Sequence, residues 1–476
     1  MKSCLFINGE EKVPTNTYVV YNPHTGEVIG EVADSTEEEM RTAIEAASRA
    51  FYNMKTLPSW KRADILYKAA SLLEQEKEEV ASIITKEASK PISAARVEVE
   101  RSIQTLQFSA EEAKRIGGEY IPLDAAKGGE GRDAYTIYEP LGVIGAITPF
   151  NFPLNLTVHK VGPAIAAGNT IVVKPAEQTP YSSLKLAEIL TRAGLPKGAI
   201  NVVPGDGPRL GKVFLEDERI KKISFTGSPS VGKLIKSQAG LKKVTLELGS
   251  NSALYIDESV KEQLSKIVPK AVIGAFSYNG QVCISTQRIY VHQRIAQEFI
   301  DLFVKETKNL SFGDPFDEKT VVTSLINKKS QKRIMEWIDE AVNRGAKVLT
   351  GGVEIGNGIA PTVLTNVPAD CKVSCQEVFG PLVIIEEVEN EKDALKKMNN
   401  SEFGLNAGVF TNRLNQAIEM AHGLEVGQVF INDVPTTRFD HMPYGGVKSS
   451  GYGYEGVKYA IREMMQMKMI SLNYKI

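Results

Sequence analysis

The strongest constraint on this chain is an alternation. From residue 143 onward, short apolar β-prone runs are separated by helical segments. Val143–Ile147, Thr170–Lys174, Asn201–Val203, Ile223–Thr226 and Val244–Leu248 are the expected strands of a first set. Helices are expected to begin near Pro153, Ser182, Pro208 and Ser228. Strands that read apolar on both faces belong to parallel sheets covered on both sides, so the pattern predicts a doubly wound α/β unit. A second set follows, with strands at Arg288–His292, Pro381–Val388, Ala407–Thr411 and Gln428–Ile431. Its helices are expected at Val260–Phe276, Ile295–Lys308, Lys328–Arg344 and Leu414–His422. A chain of 476 residues exceeds what one hydrophobic core usually supports. Two α/β units with a cleft between them, plus a smaller third element, are therefore expected.

The flanks read differently. Ser35 followed by Glu38 suggests a capping box, and Met40, Ile44, Ala47 and Phe51 recur at helical spacing. Longer helices are expected over Trp60–Thr85 and Ile92–Lys114, ended by Gly117-Gly118. Tyr120–Glu139 reads as a hairpin-like excursion. The strand-like tail Arg462–Asn473 is expected to pair with that excursion or with another subunit.

Charge narrows the partners. Lys plus Arg total 56 and Asp plus Glu total 58, a balance that argues against a nucleic-acid binder. No run approaches the length of a membrane span. The opening Met1-Lys2-Ser3-Cys4-Leu5 carries no signal-peptide pattern. Four cysteines, Cys4, Cys283, Cys371 and Cys375, are few for a secreted disulfide scaffold, so a reducing, cytoplasmic setting is expected. The five histidines, His24, His159, His292, His422 and His441, lack zinc spacing, and no metal is expected.

Several residues carry chemical potential. Cys283 follows Asn279-Gly280-Gln281-Val282 in a helix-to-strand connection, where it is either a presented nucleophile or an inert buried thiol. Glu247, between Leu246 and Leu248 at a strand end, is either a general base with a raised pKa or a solvated glutamate. Asn151, bracketed by Pro149 and Pro153, is an oxyanion donor or a turn residue. Lys174 and Glu177 follow a strand at the edge where such sheets bind ligands. Gly227-Ser228 leads from a strand into a helix whose N-terminus suits a pyrophosphate. The run to Lys233 falls short of a P-loop because Leu234 stands where Ser or Thr is needed. Gly451, Gly453 and Gly456 match a dinucleotide fingerprint in spacing only, and a glycine-rich turn is expected there.

Taken in order, Thr148–Pro153, Lys174–Glu177, Phe225–Ser228, Leu246–Gly249, Phe276–Cys283, Glu377–Pro381 and Pro443–Lys448 resemble the NAD(P)-dependent aldehyde dehydrogenase superfamily. The resemblance implies that Cys283 attacks the aldehyde carbonyl to give a thiohemiacetal. Asn151 and the Cys283 N–H would hold the oxyanion, and Glu247 would activate the water that releases the acid. It implies cofactor contacts from Ile147, Thr148, Pro149, Lys174, Glu177, Gly207, Gly211, Phe225, Gly227, Ser228, Leu248, Glu377 and Phe379. An acid at Glu177 favours NAD, with NADP possible. Ser250 departs from the family's usual second glycine after Leu-Glu-Leu, which puts the approach to Glu247 in question. A CoA-acylating relative would lack the base, and a non-catalytic member would not keep Cys283, Glu247 and Asn151 together.

The run from Lys90-Pro91 through Arg96, Glu98 and Arg101, then Asn155–His159 and Arg438–Pro443, resembles the lactaldehyde and sulfolactaldehyde branch, which implies a small hydroxylated or anionic aldehyde; succinate semialdehyde, phosphonoacetaldehyde and general aliphatic or aromatic aldehydes are the alternatives. Arg101, His159 and Arg438 would hold its tail, or else Arg101 and Arg438 are ion-pair partners and His159 a helix-face residue. Val282 is apolar where some relatives with anionic substrates carry Arg. The implied organisation is an NAD-binding domain over 1–119 and 141–251, to which 432–451 returns, and a catalytic domain over 252–431. A bridging element over 120–140 and 452–476 would pair subunits into a homodimer or homotetramer.

Overall fold

A computed structural model describes residues 4–474. Residues 1–3 and 475–476, the outer ends of two expected segments, lie outside the described residues. Five parallel strands lie side by side in the order Ile200–Val202, Thr170–Lys174, Val143–Ile147, Ile220–Thr226, Lys243–Glu247. The hairpin Leu5–Ile7/Glu10–Lys12 extends one edge and Gly451–Tyr452 the other. Chain order reverses at Val143–Ile147, so the crevice past that strand's carboxyl end is where a ligand is expected in such a sheet.

The double-sided apolar runs find their reason here. Ile144, Ala146, Ile171 and Val173 join a core with Leu66, Leu106 and Val161 from helices Ser59–Gln75, Ile92–Ala113 and Asn155–Ala167. Val143 and Val172 face the opposite core, with Ile44 and Phe214 from helices Glu37–Thr56 and Gly207–Glu216.

The second sheet has seven strands, Lys347–Thr350, Thr362–Thr365, Leu382–Val388, Arg288–His292, Ala253–Ile256, Asn406–Phe410 and Gln428–Ile431. All neighbours are parallel except the first pair. The strands at 253, 347 and 362 were not among those expected. In a third sheet, Met465–Asn473 pairs antiparallel with Arg132–Pro140 over its whole length, from Met465 opposite Pro140 to Asn473 opposite Arg132. The tail thus pairs with the excursion of its own chain, although Arg462 belongs to the helix Val457–Glu463.

Two local expectations need correction. The first helix is capped by Thr36, not Ser35: Thr36 Oγ1 accepts from Glu39 N at 3.2 Å, and Glu39 Oε2 accepts from Thr36 N at 2.7 Å. Ser35 is held back by its own N–H, which donates to Pro204 O at 3.1 Å. The helix expected over Trp60–Thr85 is two, Ser59–Gln75 and Lys77–Ala88, broken at Glu76. There the Glu76 carboxylate binds Lys185 at 2.9 Å and Arg192 at 2.6 Å, so ion pairs to a neighbouring helix set the break.

Among the described residues no helix is long and apolar enough to cross a membrane.

Candidate active site

A cavity of about 630 Å³ opens at the carboxyl ends of the first sheet's strands. It brings together Cys283, Glu247, Asn151 and every residue expected to contact the cofactor. Ile147, Thr148 and Pro149 leave the central strand, Lys174 and Glu177 its neighbour, and Phe225, Gly227 and Ser228 the strand on the other side. Leu248 follows Glu247. Gly207 and Gly211 come from one helix wall, while Glu377 and Phe379 reach across from the second sheet.

The wall fits a dinucleotide on several counts. Two helices, Gly207–Glu216 and Pro229–Gln238, begin at it, and helix N-termini favour phosphate. Ser228 caps the second without a side-chain capping bond. Lys174 Nζ donates to Glu177 Oε1 at 2.6 Å, presenting a cation and an acid together. A Cβ at Gly207 would stand 3.1 Å from Glu177 Oε1, so the glycine leaves that pair room. Thr148 Oγ1 is buried without a hydrogen-bond partner. Glu377 accepts from Ser250 N at 3.0 Å, and loss of solvent pushes its carboxyl up to about 7. Phe379 adopts a positive φ of 49° and meets Phe150 edge-on at 5.8 Å. A non-glycine residue held there is a strained one that its surroundings must fix.

Strain also precedes the nucleophile candidate. Tyr278, Asn279 and Gly280 are all left-handed, with φ of 48°, 59° and 65°. Asn279 is pinned by Thr323 N donating to its Oδ1 at 2.6 Å, and by its own Nδ2 donating to Ser324 O at 3.0 Å. Tyr278 donates to Ala88 O at 2.9 Å. A Cβ at Gly280 would lie 2.2 Å from Gly380 O, so only glycine fits. This turn delivers Cys283 Sγ to within 3.0 Å of the Tyr444 hydroxyl. Desolvation pushes the thiol up to about 11, against the opposing influence of the Tyr444 hydroxyl and the Arg438 charge.

Asn151 Nδ2 donates to Gln281 O at 3.0 Å, which aims the amide at the nucleophile's loop. Behind it, the backbone carbonyl of Asn151 accepts from Lys90 Nζ at 2.6 Å. Glu247 is buried, and neither carboxylate oxygen has a hydrogen-bond partner. Burial, and then the negative charge of Glu455, raise its pKa well above the ordinary range; Arg438 and Lys160 pull the other way. A carboxyl raised in this way holds a proton more firmly than a free glutamate, as a general base needs to. The hydroxyl of Ser250 turns to Ser252 Oγ at 3.2 Å and does not border the cavity, so the added side chain leaves the path to Glu247 open.

Arg101, His159 and Arg438 converge, but on Asp440 rather than on the cavity wall. Arg101 binds Asp440 through two bonds of 3.0 and 2.7 Å, and His159 Nε2 lies 2.8 Å from Asp440 Oδ1. Arg438 lies 3.9 Å from Asp440 and places its guanidinium 3.6 Å from the Tyr444 ring centroid. Gly451 pairs with Glu247 across an antiparallel bridge, and Gly453 and Gly456 turn the chain at positive φ, as a glycine-rich turn should.

Three contributors had no role assigned from sequence. Tyr444 sat in a quoted motif without a function. Lys160 gave a signal in retrospect, as a lysine inside a helix whose every residue is buried; it binds Glu455 at 2.5 Å and Thr226 Oγ1 at 2.7 Å. Arg333 borders the cavity, donates to Val378 O at 2.7 Å and stacks 4.6 Å from Trp337.

Known proteins resemble this chain over nearly its whole length. A 3-sulfolactaldehyde dehydrogenase of Priestia aryabhattai is 47% identical over 471 residues, covering 98% of each chain. A lactaldehyde dehydrogenase of Methanococcus aeolicus is 40% identical over 475 residues, covering 99% of this chain and all of the relative (100%). The crystal structure of aldehyde dehydrogenase 21 from Physcomitrella patens, in complex with the reaction product succinate, superposes with a TM-score of 0.97 at 39% identity. That match covers 99% of this chain and 98% of the other. The family model for aldehyde dehydrogenases matches residues 10–470, and the chain belongs to the aldehyde dehydrogenase family.

Proposed function

We propose that this aldehyde dehydrogenase oxidises a short hydroxylated or anionic aldehyde, such as lactaldehyde or 3-sulfolactaldehyde, to its acid with NAD. The observation that carries the reading is the meeting of Cys283, Asn151 and Glu247 in one cavity with the Lys174–Glu177 pair. Bound NAD supplies the hydride acceptor. Lys174, Glu177, Ser228, Glu377 and Phe379 would hold it, with Glu177 accepting a ribose hydroxyl and disfavouring a 2′-phosphate.

The chain's own residues do the rest. Cys283 Sγ forms a bond to the aldehyde carbon, and the carbonyl electron pair moves to oxygen. The Asn151 amide then exchanges Gln281 O for that oxyanion. Loss of the aldehyde hydrogen as hydride to the acceptor would leave Cys283 as a thioester; Glu247 takes a proton from the water that resolves it, and the acid leaves with the thiol restored. The substrate class is supported by the relatives named above and by the positive charge of Arg438, on which Arg101 and His159 bear only through the Asp440 they share with it. Arg438 is closest to the chemistry because it packs on the tyrosine that touches Cys283.

The same reading assigns 1–119 and 141–251, with 432–451, to the cofactor domain and 252–431 to the catalytic domain. Segments 120–140 and 452–476 form a bridging element of a cytoplasmic homodimer or homotetramer. Its support is that Tyr120–Pro122, Arg132–Pro140 and Met465–Asn473 form a three-stranded sheet of their own.

The test is NADH production over neutral, carboxylated, phosphonated and sulfonated short aldehydes, repeated with Arg101→Ala and His159→Ala. Preference for hydroxylated or sulfonated substrates, weakened by the substitutions, is expected. Equal turnover of unfunctionalised aliphatic aldehydes would overturn the substrate class.

A further inference from the structure

We propose that Tyr444 is a catalytic residue in its own right, its phenol donating a hydrogen bond that stabilises the Cys283 thiolate as it forms facing the substrate. This rests on Cys283 being the nucleophile, and it adds a group that the cysteine, asparagine and glutamate do not replace.

The geometry is direct. The Tyr444 hydroxyl lies 3.0 Å from Cys283 Sγ, inside hydrogen-bond range for sulfur. While Cys283 keeps its proton either group can donate at that contact; once the proton leaves, the phenol is the donor that remains. Burial, chiefly, keeps the phenol protonated well above its ordinary range, so it remains a donor across the working pH. Position is fixed on both sides. Tyr444 N donates to Glu455 O at 3.0 Å and Glu455 N donates to Tyr444 O at 2.6 Å, which clamps the backbone. The ring packs in an apolar cluster with Ile284 and Leu405, against which Cys283 itself rests. The next residue, Gly445, has no room for a side chain, because a Cβ would stand 2.6 Å from Gly453 O.

Arg438 completes the device. Its guanidinium lies 3.6 Å from the ring centroid, within the range of a cation–π contact. A cation on the ring face draws electron density from the phenol and makes the hydroxyl a stronger donor. The same charge favours the thiolate directly. Desolvation works against ionisation of Cys283, so a group that stabilises the anion has something to offset. When sulfur bonds to the aldehyde carbon, negative charge leaves it for the oxyanion, and the phenol's bond weakens as Asn151 takes over.

The experiment is iodoacetamide alkylation of Cys283, followed by peptide mass spectrometry from pH 6 to 10, in wild type and Tyr444→Phe. This readout needs no substrate turnover. That pH range lies below the wild-type thiol value of about 11, so the expected result is alkylation about tenfold slower at each pH, displacing the profile upward by about one unit, the effect of losing one hydrogen bond to a charged group. Tyr444→Met, which also lacks the hydroxyl, is measured beside it, and thermal melts establish which variants are folded. A shift in the folded variants supports the proposal. A profile superimposable on wild type in any folded variant overturns it. Cys283→Ser separates the two layers: retained NADH production there would remove the nucleophile reading itself. Loss of activity in Cys283→Ser with an unshifted Tyr444→Phe profile would remove only the role of Tyr444.

Discussion

Lys90 donates from Nζ to the backbone carbonyl of Asn151 at 2.6 Å, and on its other side the same ammonium binds Glu98 at 2.5 Å. Both side chains of that ion pair are out of solvent, with exposures of 1% and 0%. Glu98 also accepts from Leu154 N at 3.0 Å and Asn155 N at 3.1 Å. The oxyanion candidate therefore stands on a buried charge pair that grips the loop before it and the helix after it.

Lys90→Met is the test of that support. It leaves Glu98 buried and unpaired, a situation that typically costs about 3–5 kcal/mol. A urea unfolding midpoint well below wild type is expected. Lys90→Met/Glu98→Gln should recover part of the loss, because the orphaned charge is gone. In the surviving folded protein kcat should fall more than KM rises, since Asn151 acts on the oxyanion rather than on the bound aldehyde. An unchanged midpoint would show that the pair carries no stability.

Glu247→Gln separates function from stability. Activity should drop about 10²–10⁴-fold, the usual worth of a positioned general base. Stability should move the other way. The folded pKa of Glu247 lies well above the ordinary 4.5. A group raised in the folded state stabilises it fully below the unfolded pKa, and that contribution is lost as pH rises through the folded value. The glutamine variant should therefore melt above wild type at pH 8, with the gap closing towards pH 5. In wild type the rising limb of kcat with pH should lie well above 4.5 for the same reason. Identical melting curves at pH 8 would show that Glu247 is not desolvated as described.

How much of this was legible in the sequence depends on the range of the forces involved. Val143–Ile147 and Thr170–Lys174 were read to the residue because both strand faces are buried, which leaves a continuous apolar run. Cys283, Glu247, Asn151, Lys174 and Glu177 are legible because each follows a strand or sits in an ordered motif, whereas Arg333, inside the helix Lys328–Asn343, carries no such signal. Failures occurred where a distant partner decides. Glu76 breaks a helix through Lys185 and Arg192, more than a hundred residues away. Ser35 loses the cap to Thr36 because Pro204 claims its N–H. For Arg101 the sequence leaves a substrate contact and an ion pair equally open, because nothing local reveals Asp440, the partner that Arg101 and His159 share.

Glu177→Gln bears on cofactor choice. The carboxylate is 41% exposed, so its repulsion of a 2′-phosphate is screened by solvent. A modest effect follows: kcat/KM for NADP relative to NAD should rise about tenfold, equivalent to about 1.4 kcal/mol. Lys174, released from Glu177, becomes available to the added phosphate. Steady-state assays with both cofactors measure the ratio, and one that does not move would place cofactor discrimination elsewhere.

Gly249→Ala tests the far wall. A Cβ there would stand 2.5 Å from Glu377 Oε2 and 2.9 Å from its Cδ, closer than real contacts allow. The backbone at this position is not left-handed, so the substitution introduces no φ strain and the clash is with the carboxyl alone. Glu377 is the end of a movable side chain and is the group that should shift, losing the bond from Ser250 N. If Glu377 holds the cofactor's nicotinamide end, its displacement should raise KM for NAD severalfold and lower kcat, while the melting temperature changes little. The aldehyde KM should stay near wild type, since Glu377 and Asn151 reach the cavity from different sheets. Gly249→Ala/Glu377→Asp, which withdraws the carboxyl by one methylene, should relieve the clash and restore part of the NAD affinity. A single variant with wild-type NAD kinetics would mean that Glu377 does not position the cofactor.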